Sequence, residues 1–194
     1  NGVANSTVYG GVAGDVMGKD AMAETSLRDP DEELLEAEIA RARHPFSKKP
    51  GKIHDLRDRL SHIMWDDVGI MRTAERLERA TKDVRDLKAE LMETGLADHD
   101  TNFNVTWHDW MNMRSLVEIS ETITLAALSR ENSRGAHFRE DFPEQGDLDT
   151  SYFTLARQKG DSLDVVRENV AFTIVKPGQS LVEDMSPVTP DGQK

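Results

Sequence analysis

Apolar positions in the middle of the chain recur every three or four residues, the spacing of one face of an α-helix. They predict three long helices, over 52–64, over 70–94 with Gly95 as the stop, and over 106–128. Because the links are short and the helices are unequal, we expect an antiparallel bundle within one chain rather than a coiled coil. The predicted inward residues are Ile53, Leu56, Leu60, Ile63, Ala74, Leu77, Val84, Leu87, Leu91, Trp110, Met113, Leu116, Ile119, Ile123 and Ala126.

Two shorter helices are predicted before the bundle. Asn5 or Ser6 can cap a helix over residues 5–18, because either side chain can accept a hydrogen bond from a free N–H of the first turn. A second helix opens with Asp29 as its cap and Pro30 at its first position, and it runs to about Arg43. Its predicted inward residues are Leu34, Leu35 and Ile39.

The first predicted helix contains three glycines, Gly10, Gly11 and Gly14. Each costs roughly 1 kcal/mol against alanine in a helix interior. We therefore expect another element or a ligand to approach this backbone closely.

Helical periodicity ends near Ser129. Residues 130–150 predict an ordered loop, residues 168–175 alternate as one short strand, and the polar tail after Glu183 predicts a mobile end. The predicted fold class is therefore mainly α. Its expected parts are residues 1–27 (the first helix and a connection), 28–145 (the helical bundle) and 146–194 (a C-terminal extension).

Composition narrows the classes of function. The chain has 194 residues with 36 acidic and 24 basic ones, a net charge of −12, which disfavours duplex nucleic acid as a partner. It has no Cys, which excludes disulfides and thiolate-held metals, and no run of about 18 apolar residues that could span a bilayer. It opens on Asn1 rather than Met and without a signal sequence, so we expect it to be part of something longer.

No motif in the chain completes an active site. The six His show no helical metal-ligand spacing, so we predict no metal site, and Asp98-His99-Asp100 is better explained as a surface loop. The nucleophile elbow, the Walker loop and the dinucleotide glycine motif are all missing, so we predict no catalytic residue in these 194 residues.

One basic run stands directly after the third long helix: Arg130-Glu131-Asn132-Ser133-Arg134-Gly135-Ala136-His137-Phe138-Arg139-Glu140-Asp141-Phe142-Pro143. We call residues 130–143 the arginine-rich segment. Each Arg fork can hold a carboxylate or carbonyl groups at two points. Two interpretations stay open: an ion-pair lock at a helix end, or a docking surface for another domain, subunit or anion.

This segment resembles a signature of the succinate dehydrogenase and fumarate reductase flavoproteins, whose members read close to Arg-x-Glu-Ser-Arg-Gly-Ala-His-x-Arg-x-Asp. Asn132 stands where the family has Glu. A second stretch, Asn5-Ser6-Thr7-Val8-Tyr9-Gly10-Gly11-Val12-Ala13-Gly14, is similar to the family's Asn-Ser-Leu segment, with Thr7 in place of Leu. The bundle between the two matches is of fitting length.

The resemblance implies the C-terminal region of an FAD enzyme that acts on succinate, fumarate or a related dicarboxylate. It implies that Ser6 and Thr7 lie beside the flavin, at a helix start whose free N–H groups suit electron-rich flavin oxygens. It also implies that Arg130, Arg134, His137 and Arg139 are structural or docking residues.

The same resemblance implies that flavin and capping domains lie upstream and hold most of the FAD, so the isolated chain would be inactive. The family's substrate-binding Arg, which precedes Asn-Ser, has no counterpart in residues 1–4.

The implied partners are those upstream domains and an iron–sulfur subunit, and the implied location is the cytoplasm or the cytoplasmic face of a membrane. Enzymes similar to aspartate oxidase and adenylylsulfate reductase are alternatives within the same superfamily. A helical interaction module with no catalytic parent is the alternative from another class.

Overall fold

The computed structural model describes residues 2–23, 29–160 and 162–179. The described elements, in chain order, are α1 (Gly2–Ala23), α2 (Glu32–Arg43), a 3-10 turn (His44–Ser47), α3 (Ile53–Asp66), α4 (Ala74–Met92), α5 (Val105–Ser129), β1 (Tyr152–Lys159) and β2 (Ser162–Asn169). The fold is mainly helical with one small antiparallel sheet. The chain divides into two compact units between Arg43 and His44. The predicted tail after Glu183 lies outside the described residues.

The first unit holds α1 and α2, and neither helix buries a residue among those described. The expected close approach to α1 is not made by the described residues, since apart from the backbone of α1 itself none of their atoms lies within 4 Å of a Cβ built on Gly10, Gly11 or Gly14. Helix α1 is also longer than the predicted 5–18.

The start of α2 differs from the prediction. The cap is Asp31, whose carboxylate accepts the backbone N–H of Leu34 at 3.1 Å, rather than Asp29. The residues expected to point inward are exposed: Leu34 by 61%, Leu35 by 47% and Ile39 by 46%. The apolar face of a helix is buried only where a partner surface covers it.

In the second unit, α3, α4 and α5 share one core. Two caps start its longer helices: the side chain of Thr73 accepts the N–H of Arg76, and that of Asn104 accepts the N–H of Trp107. The buried Trp110 donates its indole N–H to the carbonyl of Thr94 at 2.9 Å, which satisfies a polar group inside the core. The core residues are Ile53, Leu56, Leu60, Val84, Leu87, Leu91, Leu96, Trp110, Met113 and Val117.

The face of α5 was predicted wrongly toward its C-terminal end. Leu116, Ile119 and Ile123 are 44–58% exposed. Polar residues take the core face instead, namely Ser120, Glu121 and Thr124. They can be buried because they are satisfied: the Thr124 hydroxyl donates to the Ser120 carbonyl at 2.7 Å, and two cations bind Glu121.

Glu121 carries a buried charge at the contact between α4 and α5. Burial alone would raise the pKa of its carboxyl. Hydrogen bonds from Lys88 at 2.9 Å and Arg85 at 3.0 Å outweigh that effect and lower the pKa below its usual value. The carboxylate therefore stays ionised within the helix contact.

Gly95 does not act as a helix-ending glycine. Helix α4 ends at Met92, three residues earlier. The backbone of Gly95 instead packs against the segment that follows the 3-10 turn. Its N–H donates to the carbonyl of Lys49 at 2.8 Å, and a Cβ at this position would meet the carbonyl oxygen of Lys48 at 2.1 Å. Only a residue without a side chain fits this crossing.

The predicted strand over 168–175 is wrong. The sheet is a hairpin in which β1 pairs with β2 from Tyr152↔Asn169 to Lys159↔Ser162, and only residues 168 and 169 of the predicted strand belong to it. Alternation in one segment misled the prediction because strand formation depends on a paired neighbour. Along the described residues, no helix is both long and apolar enough to cross a membrane.

Candidate functional site

Ser6 and Thr7, the residues implied to lie beside a flavin, are both in α1. Each hydroxyl donates to the carbonyl four residues earlier, Ser6 to Gly2 and Thr7 to Val3, at 2.9 Å. Because α1 begins at Gly2, the free N–H groups of its first turn lie before Ser6, at residues 2–4. The expectation that Ser6 and Thr7 stand at a positive helix end is therefore wrong, while their exposed side chains remain open to a ligand.

Arg139 is the centre of the arginine-rich segment, and its side chain is only 1% exposed. One guanidinium nitrogen, Nη1, donates to three carbonyls at the end of α5, those of Ala127, Leu128 and Arg130, at 3.0–3.1 Å. A helix end leaves its last carbonyls without an intrahelical partner, and here, among the described residues, only that of Ala127 also accepts a backbone N–H, from Arg130 at 3.3 Å. The buried side chain of Arg139 thus caps the C-terminus of α5.

The other two nitrogens of Arg139 form a paired contact with Asp141. Nε and Nη2 donate to the two carboxylate oxygens, each at 2.7 Å. Asp141 also accepts the backbone N–H of Ala74, the first residue of α4, at 2.8 Å. The hydrogen bonds from Arg139 hold the pKa of Asp141 down at about 2.

His137 joins this segment to the link between α3 and α4. Arg72 Nη1 lies 2.9 Å from His137 Nδ1. Because a guanidinium only donates, Nδ1 must accept, so the imidazole is neutral with its proton on Nε2. Burial, followed by the nearby charges of Arg72, Arg130 and Arg139, lowers the pKa of His137.

The second ring nitrogen of His137, Nε2, is buried and makes no close hydrogen bond with a described residue. An interaction with the backbone of Arg130 acts on the imidazole in the opposite direction and partly offsets the lowering of its pKa.

Arg130 and Arg134 hold the loop and hairpin that come after the helical core. Arg130 lies over the ring of Tyr152 at 4.9 Å and donates to the Thr154 hydroxyl at 3.2 Å, which ties the hairpin to the end of α5. Arg134 donates to the Gln145 and Asp147 carbonyls and to the Ser151 hydroxyl, at 2.6–2.8 Å. Both side chains act within the chain.

The structure thus places Arg130 and Arg139 at the end of α5, His137 beside Arg72 and Arg134 against the loop over 145–151. Ser6 and Thr7 lie in the other unit. The contacts of Arg72 and Ala74 with this segment were not predicted, since the sequence analysis gave Arg72 no role and Ala74 only an inward position in a helix, and each lies 65 or more positions away. Arg72 lies in the first turn of the helix predicted over 70–94, and a single Arg at that place gave no signal of such a role. No group of metal-ligating side chains occurs within the described ranges, and Asp98-His99-Asp100 is an exposed loop.

Comparison with known proteins gives consistent results. A family model described as the C-terminal region of the fumarate reductase flavoprotein matches residues 57–182. L-aspartate oxidase 1 of Ralstonia nicotianae is 35% identical over 144 residues, which cover 69% of this chain and 23% of that protein. One chain of the fumarate reductase (CoM/CoB) of Methanothermobacter marburgensis is 32% identical over 144 residues, covering 74% and 26%.

A solved structure is similar too. Sdh1 of Mycobacterium smegmatis, in complex with UQ1, superposes with a TM-score of 0.67 at 26% identity, over 78% of this chain and 26% of that one. The chain spans about a quarter of the length of the curated relatives it matches. Most of the length of each relative therefore has no counterpart in these 194 residues.

Proposed function

The chain belongs to the fumarate reductase and succinate dehydrogenase flavoprotein family, as its C-terminal helical region, and on that basis we propose that it is part of an FAD-dependent oxidoreductase acting on succinate, fumarate or a related dicarboxylate. The match of the family model to residues 57–182 carries this proposal. The arginine-rich segment lies wholly inside the matched range.

The role of this part is support rather than chemistry. Arg139 donates its hydrogen bonds to the end of α5 and to Asp141. Arg134 donates its hydrogen bonds to the loop that precedes β1. Side chains committed in this way hold the domain together and are not free to bind a substrate. We infer that the 194-residue chain does not turn over substrate alone.

FAD would be held mainly by upstream domains of the longer protein and would supply the hydride transfer. In this chain, the exposed hydroxyls of Ser6 and Thr7 suit a peripheral contact, since each donates within α1 and keeps lone pairs that can accept. The open surface over Gly10, Gly11 and Gly14 suits close approach of that flavin domain.

The proposal extends to architecture and partners. We infer that α3, α4 and α5 form an antiparallel bundle, because Trp110 near the start of α5 bonds to the end of α4, while Leu77 near the start of α4 packs with Ala127 near the end of α5. The upstream flavin and capping domains are the first partners and an iron–sulfur subunit is the second. The proposed location is the cytoplasm or the cytoplasmic face of a membrane.

The test is purification of the longer protein that contains this chain. We expect a yellow protein with a flavin spectrum that reduces fumarate with a reduced viologen dye. The 194-residue chain, prepared alongside, should be colourless and inactive. A longer protein without flavin would overturn the proposal.

L-aspartate oxidation is the second candidate, favoured by the 35% identity to L-aspartate oxidase 1. Oxygen uptake with L-aspartate, compared with fumarate reduction in the same preparation, decides between the two. A reading frame that starts at this chain, with no glycine-rich nucleotide motif encoded before it, would instead favour the helical interaction module.

A further inference from the structure

Phe103 stands at the tip of the loop before α5 in an unusual state. Its φ angle is +56°, in the left-handed region that bulky L-residues avoid. Its side chain is 101% exposed, and Val105, two residues on, is 71% exposed. A strained backbone and an aromatic side chain in water are both unfavourable, and no contact of the ring with the described residues offsets them.

The loop holds Phe103 in this position through its polar side chains. The Asp98 carboxylate accepts the N–H of Asp100 at 2.9 Å, and the Asp100 carboxylate accepts the N–H of Asn102 at 2.8 Å. The buried Asn104 donates to the carbonyls of Asp98 and Asp100 at 3.0 and 2.8 Å. The loop that carries the Phe103 ring is therefore fixed by its own hydrogen bonds.

The loop that carries Phe103 also carries two exposed carboxylates. The hydrogen bonds from Asn102 lower the pKa of Asp100, which keeps that carboxylate ionised. Asp98 and Asp100 are both exposed. A complementary surface would offer an apolar pocket for the ring and a basic rim for the two carboxylates.

We propose that Phe103 is an anchor that inserts into a basic-rimmed apolar pocket on the upstream flavin domain of the same longer protein. This inference rests on the proposed function, which supplies that domain. Strain of this kind persists where the surrounding structure fixes it, and it is concentrated at functional positions such as active sites, ligand clamps and switch regions.

The size of the surface favours a partner in the same chain. One aromatic side chain buries about 150–250 Å². A stable complex between separate chains buries roughly 1,200 Å² or more in total. A covalently linked domain is present at a high effective concentration, so a small anchor is enough to hold it.

The first test places p-benzoylphenylalanine at position 103 of the longer protein. After illumination, we expect a crosslink within the same chain, from position 103 to a segment of the upstream flavin domain. In the folded protein, Lys or Arg residues should lie next to the crosslinked segment. The same probe at Ile174, which is 81% exposed, is the control and should give no such product. A flavin-loaded protein in which the position-103 probe gives no crosslink, or one to a separate subunit, would overturn the anchor.

The second test uses Phe103→Asn, because Asn tolerates positive φ. In the 194-residue chain, relief of strain should raise the Tm by about 2 °C. In the longer protein the same substitution should lower the Tm and speed proteolysis between the domains. A change of the same sign in both proteins would mean that Phe103 has only a local role.

The two proposals fail in different ways. A longer protein without flavin refutes the flavin-enzyme function, whereas the crosslink still reports whether an upstream domain receives Phe103. A flavin-loaded protein without the crosslink refutes the anchor alone.

Discussion

Arg139 and Asp141 stand two positions apart, and the ion pair between them joins two helix ends that are distant in the sequence. Arg139 takes the last carbonyls of α5, while Asp141 takes the first N–H of α4. Each charge also complements the helix end it meets, since the C-terminus of a helix is partly negative and the N-terminus partly positive. One ion pair therefore stabilises both ends at once.

Replacing Arg139 with Lys should destabilise the domain by about 3 kcal/mol, because one ammonium cannot reproduce the planar fork and leaves buried groups unpaired. Urea unfolding measures the change. Arg76→Lys is the control, since the Arg76 side chain is 43% exposed, lies 3.8 Å from Glu140 and donates one hydrogen bond to the exposed Met71. A loss for Arg139→Lys no larger than the control's would contradict the role described for it.

Asp141 should make the domain sensitive to acid. Its pKa is lowered from 3.8 in the unfolded chain to about 2 in the fold, so its contribution is complete above pH 4 and is lost as pH falls toward 2. With a side chain 29% exposed, the contribution is roughly 1–2 kcal/mol. Unfolding curves across that range should show the loss in the parent and in Glu140→Gln, and a flatter dependence in Asp141→Asn.

His137 should make stability fall between pH 7.5 and 5.5. Its pKa is lowered in the fold, so the neutral form is favoured there, and its contribution is present above pH 6.5 and lost as the imidazole gains a proton. Protonation also removes the acceptor for Arg72. The Tm should drop more across this range in the parent than in His137→Gln, with exposed His54→Gln as the control. Equal drops in parent and His137→Gln would contradict this.

Gly95→Ala should destabilise the domain by about 2–3 kcal/mol, because the new methyl group would meet a backbone carbonyl and overpacking of this kind forces the chain apart. Gly10→Ala is the control, because a Cβ at Gly10 would have open space around it. It should instead stabilise α1 of the 194-residue chain by about 0.5–1 kcal/mol. Thermal unfolding and helical circular dichroism measure both changes. A Gly95→Ala protein as stable as the parent would show that the two backbone segments can move apart to admit the methyl group.

The helical core was predictable because its apolar residues repeat with the period of the helix, as Leu77, Leu87 and Trp110 illustrate. The face of α5 was not, since Glu121 becomes a core residue only when Lys88 and Arg85 of another helix reach it. The hairpin was missed because its stability depends on pairing rather than on alternation within one strand.

The candidate site was predictable only in part. The arginine-rich segment is visible as a run of Arg, Gly and His, and its resemblance to a family signature comes from local sequence. The groups that these side chains hold are not local: Arg72 and Ala74 lie in the link and helix start far upstream. Nothing in their own sequence marks them as partners.

The long separation between Ala74 and Asp141 bears on how the domain folds. The three core helices and their apolar contacts are all encoded before residue 130, whereas the residues that close the ends of α4 and α5 come afterwards. Contacts between distant positions form slowly, because a long loop must close first. A nascent chain released before Arg139 would therefore carry a complete hydrophobic core whose helix ends fray, and such a chain is a natural substrate for proteases.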